Sequence, residues 1–123
     1  MRVKAAVLKQ ADGHFHIETV ELDAPRRGEV RVKMVASGVC HSDWHVANGT
    51  TEHPMPCIAG HEGAGIVDAV GEGVTRVQVG DHVALSWTPD CGECFYCQRN
   101  QPNLCETFTE PIWNGVMLDG TAR

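Results

Sequence analysis

The run Cys91-Gly92-Glu93-Cys94-Phe95-Tyr96-Cys97, closed by Cys105, decides how this 123-residue chain is read. Its cysteines are separated by two, two and seven residues. Spacing this tight lets successive thiolates reach one ion, and tetrahedral Zn²⁺ accepts four of them with no position left open. An iron–sulfur run of the bacterial type needs a shorter final gap followed by Pro, and Leu104-Cys105-Glu106 does not supply it. Ligand softness and spacing together predict zinc. Residues 89–106 carry no helical or strand period, so this stretch is a loop in need of an internal staple, and the cysteines provide one.

Outward from that loop the chain reads as short β segments between turn signals. Val3 to Leu8 and Phe15 to Val20 flank Asp12-Gly13 and predict a hairpin. Glu29 to Val35 alternates, which places Val30, Val32 and Met34 on one face. Ala64 to Val70 and His82 to Leu85 are further strands, and one short helix is expected between Cys40 and Asn48, started by Ser42/Asp43. The expectation is a mainly β, Gly-rich domain of ordinary size.

Composition narrows the function classes. The net charge is −6, and no basic cluster exceeds Arg26-Arg27, so a phosphate-tracking nucleic-acid face is excluded. No apolar stretch approaches a membrane span. The amino terminus is interrupted by Lys4 and Lys9 and lacks a signal-peptide core. Crowded Cys-x-x-Cys spacing suits metal in a reducing compartment, which predicts a cytoplasmic protein.

Cys40 and His61 are further metal-competent groups, each weak alone. A lone cysteine is usually a small buried hydrophobe and a lone histidine simply hydrogen-bonded. Their neighbours raise the odds: His41-Ser42-Asp43 sets a hydroxyl and a carboxylate beside a thiol, and Glu62 adjoins His61 among Gly60, Gly63 and Gly65. This second set is incomplete, and an incomplete donor set with room for water is where metal chemistry occurs.

Gly60-His61-Glu62-Gly63-Ala64-Gly65-Ile66-Val67, then Gly80-Asp81-His82-Val83 and the tetracysteine loop, resemble the zinc-dependent medium-chain alcohol dehydrogenases. Cys40-His41-Ser42-Asp43-Trp44-His45 is similar to their catalytic-zinc segment, and Met117 to Thr121 resembles the liver-type and class III branch. The resemblance covers essentially the whole chain. It implies a GroES-like, partly open β-barrel with short helices over residues 1–123, containing a structural zinc loop at residues 89–106.

By position, the resemblance implies that Cys40 and His61 ligate a catalytic zinc with Glu62 beside it. Asp43 would fix the His61 tautomer. Ser42 would bond the substrate oxygen and pass on its proton, His45 would hand that proton to solvent, and His41 would face the cofactor pyrophosphate. Trp87 would line an alcohol pocket, its bulk favouring short substrates such as primary alcohols. Cys91, Cys94, Cys97 and Cys105 would hold the structural zinc. Thr51 and Thr109 stand where glutathione-using relatives resemble one another in placing Asp and Arg, which argues against a glutathione adduct.

The implied activity is interconversion of alcohols and aldehydes with a nicotinamide cofactor, NAD, in a homo-oligomeric parent enzyme. Two parts are missing from this chain. No Cys or His follows Cys105 to act as third catalytic ligand, and no Gly-x-Gly-x-x-Gly fingerprint is present. The expectation is therefore an amino-terminal part of the catalytic domain, inactive alone; the alternative is a non-enzymatic zinc-binding module. Cys57 is expected to be a buried free thiol, and His14, His16, His53 and His82 surface or core residues only.

Overall fold

A computed structural model describes residues 1–122. Six strands run in chain order with two α-helices: β1 (Arg2–Leu8), β2 (Phe15–Glu21), β3 (Val30–Ser37), α1 (His41–Ala47), β4 (Cys57–Ile58), β5 (Gly63–Val70), β6 (His82–Ala84) and α2 (Glu106–Asn114). They form two antiparallel three-stranded sheets, ordered β2-β1-β4 and β3-β5-β6. This is the mainly β, open-sheeted architecture that the sequence predicts.

The first sheet follows from alternation in β1, where Val3 and Ala5 turn inward between more exposed neighbours and Val7 is buried beside Leu8. Leu8 at its end is fully buried, as is Val67 of β5 at 1% exposure. Burying one such side chain stabilises the fold by about 2 kcal/mol. The hairpin tip is held locally: Asp12 accepts bonds from the Gln10 amide and the His14 N–H, which lower its pKa. The Gly13 N–H donates to the Ala47 carbonyl at 2.8 Å, fastening the tip to the end of α1.

Three features differ from what residue pattern alone suggests. The alternating face of β3 is only partly covered, with Val30 and Met34 41% and 49% exposed. The register against β5 shifts between Arg31 and Val32 and again between Met34 and Ala36, and each bulge breaks the period. α1 starts one residue before Ser42: Cys40 is its N-cap, and Asp43 reaches back to accept the Cys40 N–H at 2.9 Å. A second helix, α2, was not expected. It carries Pro111 inside and ends on Gly115, whose left-handed φ of 65° suits glycine.

Among the described residues no helix is long and apolar enough to cross a membrane.

Candidate metal centres

The loop after β6 brings four sulfurs together. The Sγ atoms of Cys91, Cys94, Cys97 and Cys105 all lie within 4.8 Å of one another. Cys91 to Cys97 and Cys94 to Cys105 are each 3.9 Å. A tetrahedron with metal–sulfur bonds of about 2.3 Å has edges of about 3.8 Å, so the cage has the dimensions of a zinc tetrathiolate. Two short 3₁₀ turns, Cys97–Arg99 and Pro102–Leu104, fold the chain back to deliver Cys105.

The cage is electrostatically uneven. The Thr107 hydroxyl donates to Cys91 Sγ at 3.3 Å and, with the Glu93 and Cys94 N–H groups, draws that thiol down to about 6. Backbone N–H donation, chiefly from Cys97, lowers Cys94 as well. Burial, reinforced by neighbouring sulfurs, pushes Cys97 up to about 12. Protein groups alone stabilise part of the negative charge, and a divalent cation is the natural balance for all four thiolates. The donor set fits a closed zinc site.

The second group is Cys40, His61 and Glu62, whose donor atoms also lie within 4.8 Å of one another. Sheet register explains how residues 21 positions apart meet. Ser37 pairs with Gly63, and the Gly38 N–H donates to the Glu62 carbonyl at 2.9 Å, continuing the β3–β5 ladder. Cys40 and His61 then leave their strands side by side. On the other edge the Leu85 N–H bonds the Gly63 carbonyl at 2.8 Å, extending β5–β6 toward Trp87. The indole of Trp87 reaches the His61 ring with centroids 5.7 Å apart.

The polar contacts around this group are directional. Asp43 Oδ1 lies 3.5 Å from His61 Nδ1, with Asp43 only 14% exposed. Nδ1 turned to a carboxylate leaves Nε2, 4.0 Å from Glu62 Oε1, as the metal-facing nitrogen. The Ser42 hydroxyl sits 3.0 Å from Cys40 Sγ. A Cβ on Gly38 would run into the Glu62 carboxylate, so glycine there leaves room for that side chain. Thiol, imidazole and carboxylate make a mixed donor set suited to zinc, open where the tetrathiolate is closed.

The remaining expected residues divide cleanly. His41 and His45 stack edge to face on α1, with centroids 4.5 Å apart, beside the group but not among its donors. His14, His16, His53 and His82 belong to neither metal group. Cys57 is only half-buried, against the expectation of a core thiol; its Sγ contacts Met55 Sδ at 3.7 Å, and burial raises its pKa. Thr109 is turned onto its own helix, donating to the Cys105 carbonyl at 3.1 Å. Trp113 was missed: it meets Trp87 edge-on at 6.0 Å, and only the helical spacing of Phe108 and Ile112 signals the element that carries it.

Residues 26–122 match the family model for the alcohol dehydrogenase GroES-like domain. The chain is 48% identical over 123 residues to an NDMA-dependent alcohol dehydrogenase of Amycolatopsis methanolica, covering all of this chain and 33% of that protein. It is 49% identical to S-(hydroxymethyl)glutathione dehydrogenase of Candida maltosa, over 98% of this chain and 32% of that protein. The crystal structure of benzyl alcohol dehydrogenase from Acinetobacter calcoaceticus superposes with a TM-score of 0.92 at 37% identity, covering 99% of this chain and 33% of that one. The chain thus spans about a third of the length of the curated relatives it matches. On sequence and on fold, it belongs to the alcohol dehydrogenase GroES-like domain family.

Proposed function

We propose that this chain is the amino-terminal catalytic-domain segment of a zinc-dependent, NAD-linked medium-chain alcohol dehydrogenase. The whole of residues 1–123 forms that segment, and residues 89–106 form its structural zinc loop. One observation carries the reading: Cys40, His61 and Glu62 group their donor atoms beside the Ser42 hydroxyl and the Asp43 carboxylate. A cytoplasmic, homo-oligomeric enzyme acting on a small alcohol or aldehyde, without nucleic-acid or membrane partners, is part of the proposal.

Cys40, His61 and Glu62 would hold the catalytic zinc, and Cys91, Cys94, Cys97 and Cys105 the structural one. Zinc at the first set supplies Lewis acidity toward the alcohol oxygen, and a nicotinamide supplies the redox partner that side chains lack. Asp43 holds His61 in one tautomer and orientation. Ser42 Oγ, tethered near Cys40, accepts the hydroxyl proton of the alcohol, and His45 on the same helix is the imidazole that carries it toward solvent. His41, beside His45, faces the anionic part of the cofactor. Trp87 walls the site and keeps water from one side of it.

The test is zinc content together with alcohol-dependent NAD reduction by the protein as its gene encodes it. Two zincs per chain, with activity abolished by Cys40→Ala and reduced by Ser42→Ala, are expected. Activity that survives Cys40→Ala would overturn the assignment. A single tightly held zinc without cofactor-linked turnover would leave only a zinc-binding module.

A further inference from the structure

α1 carries two histidines one turn apart. His41 and His45 stand at a spacing of four residues, which makes their side chains neighbours on the helix surface. Their ring centroids lie 4.5 Å apart, with the planes inclined at 61°. His41 is exposed and His45 half-buried, so solutes reach both. Neither belongs to the tetracysteine cage or to the Cys40–His61–Glu62 group, and among the described residues no further Cys, His, Asp or Glu completes a set with them.

The spacing is that of a chelate. An ion bonded at about 2.1 Å to one nitrogen of each ring sets the centroids about 4.6 Å apart when the two bonds meet at a right angle, and about 5.3 Å apart at the tetrahedral angle. The observed 4.5 Å matches the right angle. Rotation of a ring about its Cβ–Cγ bond leaves its centroid nearly in place, so the match holds whichever nitrogen is presented. Right-angled bonds belong to square-planar and octahedral ions rather than to tetrahedral zinc, and imidazole nitrogen suits nickel and copper. The scaffold is fixed in advance. Asp43 accepts the Cys40 N–H at one end of α1, and the Gly13 N–H holds the Ala47 carbonyl at the other. Ligands carried on such a tied-down element keep their geometry better than ligands on a loop.

We propose that His41 and His45 form a third metal site in this chain, a two-imidazole chelate for a divalent ion of the nickel and copper class. Two protein donors leave the other positions to solvent, so the ion is held reversibly. Under the alcohol dehydrogenase reading above, on which this consequence rests, an occupied site withdraws His41 from the cofactor and His45 from proton transfer. The ion is then an inhibitor.

The probe is nickel chloride added to the protein as its gene encodes it, with the zinc sites already filled. Paramagnetic broadening is expected to be strongest at the His41 and His45 ring protons, the two saturating together while zinc content stays unchanged. His41→Gln and His45→Gln should each weaken this binding about 100-fold, the lower end of what two linked donors gain over one, and the double variant should be little worse than either. His16→Gln should leave it unchanged. If a Gln variant loses its fold by circular dichroism, Ala at the same position serves. No broadening at these rings, nickel uptake with loss of zinc, single variants that lose only half of the bound nickel, or an equal loss in His16→Gln overturns the proposal. With ethanol as substrate, nickel should raise the KM for NAD⁺ as the two rings saturate. Saturation without any change in turnover overturns the inhibition, and with it the parts given to His41 and His45, while the metal site stands. Alcohol oxidation that persists where nickel fails to bind leaves the enzyme reading standing. Nickel binding as expected, in a protein that oxidises no alcohol even without nickel, sinks the enzyme reading instead.

Discussion

Asp43 Oδ1 lies 3.5 Å from His61 Nδ1 while its second oxygen accepts the Cys40 N–H at 2.9 Å. One carboxylate thereby caps α1 and orients an imidazole that arrives from the start of another strand. It connects both candidate ligands, so their geometry depends on a residue that is not itself a donor to the metal.

Asp43→Asn preserves the shape of the cap but removes its charge. Zinc affinity at the Cys40–His61–Glu62 group should fall about 10- to 100-fold, the usual effect of removing such a supporting carboxylate. Competition with a chelator measures it, and the tetracysteine metal serves as an internal control that should not change. Equal affinity in the variant would show that Asp43 does no more than cap the helix.

Cys94→Ser removes one corner of the cage, opposite Cys105 at 3.9 Å. The expected outcome is loss of one zinc per chain and rapid proteolysis between residues 91 and 105, since a loop with only two short 3₁₀ turns has little else to hold it. Unchanged metal content would count against the tetrathiolate.

The pH dependence has a definite sign. Cys91, drawn down to about 6 by Thr107 and backbone N–H groups, is already a thiolate at neutrality, whereas Cys97, pushed up to about 12 by burial, is protonated. Zinc uptake at neutral pH must therefore displace the Cys97 proton, and affinity should rise with pH and drop steeply below about 6 as Cys91 protonates. In the metal-free chain the two groups act oppositely. Cys91 contributes stability at alkaline pH that is lost as pH falls through about 6, and Cys97 removes stability as pH rises from the ordinary thiol range toward about 12. Titration calorimetry in buffers of different ionisation enthalpy counts the released protons; zinc uptake without proton release would contradict the Cys97 shift.

Gly38→Ala drives a methyl group into the Glu62 carboxylate, a flexible obstacle. Stability should fall by less than about 1 kcal/mol because Glu62 swings aside. Metal binding at the Cys40–His61 group should change, while that at the tetracysteine cage should not. Thermal denaturation and site-resolved metal titration separate the two effects.

The cysteine cage was legible from spacing because its ligands are local. Cys40 and His61 could be singled out from their neighbours as metal-competent, but joined in one site only through resemblance, since strand pairing rather than any motif brings them together. β1, β2, β5 and β6 were readable from alternation and turns. β3 was readable as a strand, yet its bulges, absent from any pattern of residue types, interrupt the alternation that its sequence suggests. α2 escaped because Pro111 and two threonines mask a weak apolar stripe, and Trp113 was overlooked with it. α1 starts before Ser42 because Cys40, a residue type unusual at an N-cap, takes that place, while Asp43 is the third helical residue and reaches back to it.

The ladder that places Cys40 beside His61, and Trp87 beside His61, ends where three neighbouring strands fray together. Chain length in the excursion from α1 to β4 is thus immaterial to the site, and extra residues there would be absorbed as a larger surface loop. A single residue inserted into β3 or β5 would instead offset thiol from imidazole by about 3.4 Å, one strand step, and turn one of them to the opposite side of the sheet.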